Sequence, residues 1–298
     1  MRNICCVILN YNDAPTVKSL VKEIRNYRCL DAIVVVDNHS SDGSWEMLQA
    51  LSDKERVFVL RTEKNGGYGA GNQAGIDYCV EELEAEYVIV ANPDIHVTEE
   101  CILRVKEALD KTERAVIASA RVMSPEGERL FSYWKLLPLW MDLLDTGLVS
   151  RRLFKGMLNT PPYLLKQGGD ENCRLVDAVP GSFFMLHLGR LTPQETKNLF
   201  DKHIFLYYEE KVLGCKCREK GLRTVLVTDC SYVHAHSVSI DKSVSRIVDK
   251  QRLLHRSKLY YYKEYLHGTP GQMVCARIFL GLVLAEVWFL TVVCRMKW

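Results

Sequence analysis

Apolar residues in the first hundred positions fall into short dense runs, separated by stretches with the spacing of helices. The runs at about 3–9, 32–36, 57–61 and 86–91 have the length and composition of buried strands. The stretches 14–26, 43–52 and 70–84 read as helices. This alternation predicts parallel strands joined by crossover helices. Ser40-Ser41-Asp42-Gly43-Ser44 supplies N-cap residues at the second strand-to-helix turn. A further helix follows Thr98-Glu99-Glu100, and Ala115 to Met123 reads as another strand. The pattern then loosens. Residues 131–170 are rich in Leu, Trp, Tyr and Pro, with basic points at Arg151, Arg152 and Lys155, and predict an irregular or helical insert. Strands at 174–179 and 182–187 flank Pro180-Gly181, a helix at 209–220 closes on Gly221, and 222–227 is a last strand. There is no internal repeat, low-complexity tract or Pro/Gly linker.

Three of the strand-like runs stop abruptly in polar turns: Cys5 to Asn10 before Tyr11-Asn12, Ala32 to Val36 before Asp37-Asn38, and Glu86 to Ala91 before Asn92-Pro93-Asp94. Open α/β sheets bind ligands beyond the carboxyl ends of their strands, so three such ends on one rim point to a nucleotide and metal site. Capping of an ordinary turn is the alternative for each alone. Asp94 would hold Mg²⁺ or Mn²⁺, which take oxygen ligands and often need one or two carboxylates plus phosphates. Asp37 would either accept from a base N–H or cap its own turn. Asn65 to Ala74 is a glycine-rich turn opening a helix, a place where backbone can approach a phosphate. Gly69 to Ala74 matches G-x-G-x-x-A, but it follows the third strand rather than the first, which disfavours a dehydrogenase. Glu209-Glu210 follows aromatic residues whose walls would desolvate a carboxylate and make it a better base, or else it is a solvated first turn. One histidine of Val233-His234-Ala235-His236 could be a nitrogen ligand to the metal or merely structural.

Charge changes the picture at the far end. From Lys242 to Trp298 ten Lys+Arg face three Asp+Glu, a net of +7, which leaves −5 for residues 1–241 of the total of +2. A basic tail on a mildly acidic body suits an anionic surface, and the lack of an aromatic-basic RNA-binding motif favours membrane over nucleic acid. Met273 to Val293 is the long apolar stretch; Arg277 and Glu286 inside it predict an amphipathic helix in the headgroup region, against a C-terminal helix packed on the domain. Eleven scattered cysteines without zinc spacing, and an opening that runs straight into a strand, predict reduced thiols in a cytosolic protein.

Taken in order, Val7 to Asn12, Val34 to Ser44, Asn65 to Gly75, Asn92-Pro93-Asp94, Val179 to Leu186, Phe200-Asp201 through Glu209-Glu210, and His234 with Ser239 resemble family 2 glycosyltransferases of the GT-A fold. The likeness covers roughly residues 3–240 and is nearest the bacterial rhamnosyltransferase-like branch that builds surface polysaccharides. The resemblance implies a Rossmann-like, mostly parallel nucleotide-binding sheet with helices on both faces. It divides the chain into a catalytic domain at 1–241, with a nucleotide half at about 1–95 and an acceptor half at 96–241, and a helical tail at 242–298. It implies an inverting transferase that binds a nucleotide-diphospho-sugar through Asn10, Asn12, Asp37, Asn65, Gly67, Gly71, Asn72 and Asn92. Asp94 and His234 would hold the metal, and Glu210, with Glu209 beside it, would be the base. Asn92 stands where DXD motifs carry their first acid, and Lys211-Val212 stands where a further Asp is frequent. The insert would shape the acceptor pocket, and a lipid-linked or cell-surface glycan would be the acceptor. dTDP-rhamnose is the favoured donor. A nucleotidyltransferase or a non-enzymatic glycan-binding scaffold are the rivals.

Overall fold

Strand β1 (Ile4–Asn10) shows why the apolar runs lack alternation: Cys6 and Ile8 join one core cluster while Cys5 and Val7 join the other, so both faces are buried. The computed structural model describes residues 4–161, 164–235 and 247–294; His236, Ser239, the charge boundary near 242 and Arg295 to Trp298 lie outside the described residues. Helix α1 (Ala14–Ile24) packs Val17, Leu20, Val21 and Ile24 on the sheet. β2 (Ala32–Asp37), α2 (Ser44–Gln49), β3 (Val57–Arg61), α3 (Tyr68–Glu81) and β4 (Tyr87–Ala91) follow as expected. The strands run in the order β3-β2-β1-β4, all parallel.

Beyond β4 the sheet is mixed. A two-residue strand β5 (Ile95–His96) was not foreseen. α4 (Glu99–Lys111) starts at Thr98, whose hydroxyl accepts the Cys101 N–H, and leads to β6 (Ala115–Met123). β7 (Cys173–Val176) is shorter than expected, and β8 (Phe183–His187) pairs antiparallel with both β4 and β6. After short α8 (Pro193–Thr196) comes α9 (Glu209–Glu219), then β9 (Arg223–His234), far longer than the expected 222–227. β9 runs parallel to β6 and antiparallel to β7 and β5. The parallel order therefore belongs to the first half, and the second half returns antiparallel strands to the same rim.

The insert forms α5 (Leu139–Leu144), α6 (Leu148–Leu153) and α7 (Lys155–Leu158). The tail forms α10 (Ile247–Glu264) and α11 (Pro270–Trp288), the latter started by a capping box at Thr269 and Gln272. Leu139 and Leu143 of α5, Tyr208 and Val212 by α9, Tyr261 and Tyr262 of α10, and Met273, Ala276 and Leu280 of α11 share one core cluster. The expected amphipathic helix is corrected here: Val274, Ile278, Leu282 and Trp288 on the outward face are exposed, so α11 is apolar on both sides. By length and composition Pro270–Val293 could cross a membrane.

Candidate active site

Parallel pairing builds the rim, with Asn10 opposite Asp37 and Ile8 opposite Ala91. The first two turns are tied together. Asn10 Nδ2 donates to Asp37 Oδ1 at 2.8 Å and to Ser40 Oγ at 3.0 Å. Asp37 Oδ2 accepts the Ser40 N–H at 3.2 Å and lies 3.4 Å from Arg61 Nε. Asn12, at φ +56, accepts the Ser41 N–H at 2.8 Å. Asp37 and Asn10 are fully buried, and the Asp37 carboxylate is already engaged by Asn10, Ser40 and Arg61. Asn12 remains on the surface of the same turn.

The glycine-rich turn is shaped by close packing. Asn38 Nδ2 donates to Asn65 Oδ1 and to the Gly67 carbonyl, both at 3.0 Å. Gly67 has φ +88, and a Cβ there would fall 2.1 Å from the Phe205 carbonyl oxygen, which accepts the Tyr68 N–H at 2.9 Å. A Cβ on Gly71 would meet Leu9 Cδ1 at 2.4 Å. Buried Asn72 donates to the Tyr68 carbonyl at 3.0 Å. Gly67 and Gly71 thus let α3 press on the sheet and on the loop before α9, and the first N–H of α3 already has its acceptor. A Cβ on Gly69 would lie 3.1 Å from Phe200 Cβ, so both glycines of the G-x-G-x-x-A match, Gly69 and Gly71, sit at close packing contacts.

The remaining residues converge on a cavity of about 460 Å³. Asn92, Gly181, Ser182, Glu209, Glu210 and His234 line it with Tyr68, and Phe131, Trp134, Leu206 and Tyr207 form an apolar wall. The returning strands explain the convergence: Asn92 N–H donates to the Ser182 carbonyl at 2.8 Å, and Ala235 N–H donates to the Asp94 carbonyl at 3.0 Å. Because β9 pairs His234 with Ile95, His234 Nε2 comes 3.3 Å from Asp94 Oδ1. That oxygen is buried and accepts no hydrogen bond. A buried carboxylate oxygen facing an imidazole nitrogen is a donor set that fits Mg²⁺ or Mn²⁺. Among the described residues no third His, Cys, Asp or Glu joins them, which leaves further positions for phosphate oxygens and water.

The two glutamates enter through an unusual turn. Tyr207 and Tyr208 are consecutive non-glycine residues at φ +70 and +76. Left-handed backbone costs on the order of 1–3 kcal/mol at such residues and persists only where the surroundings enforce it. Asp142, fully buried in α5, does so: its Oδ1 accepts the Tyr208 hydroxyl at 2.6 Å and its Oδ2 pairs with Lys211. One carboxylate therefore grips the residue on each side of Glu209-Glu210. Lys258 Nζ at 3.1 Å and the Tyr262 hydroxyl at 2.9 Å complete its shell from α10. Burial opposes this charge, yet the two ammonium groups hold the Asp142 carboxyl well below the usual range.

Glu209 is nearly fully buried and its Oε1 accepts no hydrogen bond. Burial, then the charge of Glu210, pushes its carboxyl well above the ordinary value. Glu210 is partly exposed to the cavity; burial raises it too, against the Gly181 N–H that donates to its Oε1 at 3.2 Å and the charge of Lys211. Tyr68 donates to the Gly181 carbonyl at 2.5 Å, and burial with the two glutamate charges keeps its hydroxyl protonated. A carboxylate whose pKa is raised by burial is a stronger base than a free glutamate, and Glu210 presents one to the cavity. Asn38, Tyr68, Trp134, Tyr208 and Asp142 were not foreseen as site residues, although Asn38 lies in the second polar strand end, Tyr68 inside the glycine motif and Tyr208 in the aromatic run before the glutamates.

Residues 5–162 match the profile of the glycosyl transferase family 2. The chain belongs to that family. The low-salt glycan biosynthesis hexosyltransferase Agl10 of Haloferax volcanii is 27% identical over 81% of the chain and 69% of its own length. The mannosyltransferase PcManGT of Pyrobaculum calidifontis, solved with GDP-Man and Mn²⁺, superposes with a TM-score of 0.55 at 13% identity, over 100% of this chain and 76% of its own. GalNAc-T7, solved with UDP, GalNAc and Mn²⁺, gives 0.56 at 14% identity over 99% and 57%. At that identity the two structures show the shared GT-A fold. As a family 2 glycosyltransferase the chain acts on nucleotide sugars, which sets aside the dehydrogenase, nucleotidyltransferase and scaffold readings.

Proposed function

We propose that the chain is an inverting glycosyltransferase that moves a sugar from a nucleoside-diphosphate donor to a hydroxyl of a lipid-linked or cell-surface glycan. The observation that carries this is the cavity that gathers Asn92, Glu209-Glu210 and His234 from three segments, with Asp94 against His234. The acceptor oxygen bonds to the anomeric carbon as the bond to the diphosphate oxygen breaks, and the acceptor proton passes to Glu210. Glu210 is the base because it faces the cavity, with burial raising its carboxyl, whereas Glu209 lies buried behind it with its own carboxyl raised further from the ordinary value. Asn12, Asn65 and Asn92 line the donor side, and Asn10, Asp37, Gly67, Gly71 and Asn72 hold its walls in place. Asp94 and His234 would hold Mg²⁺ or Mn²⁺, and when bound the cation supplies positive charge toward the leaving diphosphate.

The favoured donor is dTDP-rhamnose, on the resemblance to the rhamnosyltransferase branch, with UDP-sugars next. The division into nucleotide half (1–95), acceptor half (96–241) and tail (242–298) is one of role. The exposed apolar face of α11 and the basic tail support attachment to the cytoplasmic side of a membrane. A thermal-shift panel of dTDP, UDP, GDP and NAD, each with and without Mn²⁺, tests the donor class, since a ligand of the folded state raises its melting temperature. One nucleoside diphosphate should give a shift that grows with Mn²⁺; a shift for NAD alone, or for none, would contradict the reading.

A further inference from the structure

Helix α4 and strand β9 meet through a pair of thiols. Cys101, the third residue of α4, donates from its Sγ to the Sγ of Cys230 on β9 at 3.5 Å. Cys101 is buried, Cys230 is half-buried, and both pack in one core cluster. The transfer reaction uses neither. Disulfide sulfurs lie about 2.0 Å apart, so this pair has about 1.5 Å left to close.

β9 has the slack to close it. Leu226 stands opposite Ser119 of β6 and Ser231 opposite Arg121, so Val227 to Cys230 share a single facing residue, Ala120. A bulge of this kind takes residues out of the ladder and bends the strand that carries them. Val227 is paired with Cys173 of β7, and the Thr228 N–H donates to the Asn172 carbonyl at 2.8 Å. Asp229 is held by Arg104 at 2.9 Å. Cys230 follows these anchors and comes before the β6 ladder resumes.

We propose that Cys101 and Cys230 are an oxidative modification site: a hydroperoxide converts them to a reversible disulfide that staples the sheet edge holding Asp94 and His234. The importance of that edge rests on the transferase reading.

The chemistry balances within the pair. The Cys230 thiolate attacks one peroxide oxygen, the O–O bond breaks, and Cys230 becomes a sulfenic acid. The other oxygen takes the thiol proton and leaves as water. The Cys101 sulfur then attacks the Cys230 sulfur, the S–O bond breaks, and a second water leaves with the Cys101 proton. Two thiols lose two electrons and one peroxide becomes two waters. The surroundings set the order, since Cys230 is the more accessible sulfur. The hydrogen bond from Cys101, with help from Arg104 and Arg121 and against burial and Asp229, draws the Cys230 thiol below its ordinary value. The same bond, with burial, raises Cys101. In a reducing cytosol such a bond is transient, as sensing disulfides are.

The position of the bond gives it a consequence. β5 is two residues long and meets β9 through the pairs Ile95–His234 and His96–Val233. Asp94 precedes the first pair, with its carboxylate 3.3 Å from His234. The chain then passes Thr98, whose hydroxyl accepts the Cys101 N–H. A Cys101–Cys230 bond closes a covalent ring around this short ladder, through 94–101 on one side and 230–234 on the other. Such a cross-link stabilises by restricting the open states of the segments it joins.

The test uses the full chain, treated with hydrogen peroxide and then alkylated and digested, with hydrogen exchange measured on the same samples, in wild type and Cys230→Ser. Wild type should yield a peptide that joins Cys101 to Cys230 and is lost on reduction with dithiothreitol. Amide exchange over 95–98 and 232–235 should slow by about tenfold or more in the oxidised form. Cys230→Ser should show neither change. Peroxide that joins Cys230 to any other cysteine, or leaves Cys101 free, overturns the proposal. So does a linked peptide whose edge exchanges as fast as in the reduced protein. Absence of the Mn²⁺-dependent nucleoside-diphosphate shift in reduced wild type would instead strike the transferase reading, while the linked peptide and the slowed exchange would still stand.

Discussion

Glu209 keeps an unsatisfied Oε1 inside the protein, while Glu210 accepts the Gly181 N–H at the edge of the cavity. Adjacent carboxylates therefore have different work, and pH should separate them. For Glu209 the folded-state pKa lies above its ordinary value near 4.5. The folded state then binds the proton more tightly than the unfolded chain, so its contribution is complete below the ordinary value and is lost as pH rises toward the folded one. Glu209→Gln should remove that slope. The fall in melting temperature between pH 5 and pH 8 should shrink in the variant, and an unchanged fall would show that Glu209 is not held neutral. For Glu210 the same direction means that the active, ionised form is lost as pH falls through a value higher than that of a free glutamate. The rate should decline on that acid limb, well before general acid denaturation.

At the scale of elements, the site depends on a turn that few sequences tolerate. Tyr207 and Tyr208 hold left-handed backbone because Asp142 anchors Tyr208 and Lys211 at once, with Lys258 and Tyr262 behind it. Asp142→Asn leaves two buried ammonium groups without a counter-charge. Breaking one side of a buried pair costs about 3–5 kcal/mol, so the urea midpoint should drop sharply. Tyr208→Phe removes one hydroxyl contact and should cost about 1–3 kcal/mol, with a loss of turnover larger than the loss of nucleotide binding. Equal midpoints for Asp142→Asn and wild type would refute the anchoring role. Gly67→Ala puts a Cβ 2.1 Å from the Phe205 carbonyl at φ +88 and should part α3 from the loop that leads to the glutamates. Its measurable result is lower stability together with lower activity; full activity would mean that the loop is positioned by other contacts.

Over the whole molecule, the chain order of buried runs was enough to read the parallel half, because strands covered on both faces announce themselves as unbroken apolar segments. The rim residues Asn10, Asp37, Asn92 and Asp94 were legible for the same reason, as polar ends of those runs. The mixed half was harder. Thr228 to Ser231 interrupts β9 with polar residues, and a register shift between Ser119 and Arg121 marks the same irregularity on β6. The Asp142 anchor had no local signature, since its partners lie at 208, 211, 258 and 262 on other elements. Two charges within α11 suggested amphipathicity, yet Val274, Ile278 and Leu282 make its outward face as apolar as the face that carries Met273, Ala276 and Leu280. The two faces can be tested apart. Ile278→Glu with Leu282→Glu should leave stability within about 0.5 kcal/mol per site while lowering sedimentation with anionic vesicles. Deleting 270–298 should instead lower the melting temperature strongly, because Met273, Ala276 and Leu280 belong to the core that supports Tyr208. A truncated protein with an unchanged melting temperature would place the tail outside the fold.

The most direct measurement is release of nucleoside diphosphate from a panel of dTDP-, UDP- and GDP-sugars with Mn²⁺ and a membrane extract as acceptor, by wild type and Glu210→Gln. If Glu210 is the base, wild type turns over one donor, and the variant is slower by about 10²- to 10⁴-fold while it still shows the nucleotide-induced thermal shift. Turnover of that donor by Glu210→Gln at the wild-type rate would contradict the assignment and move the base elsewhere in the cavity.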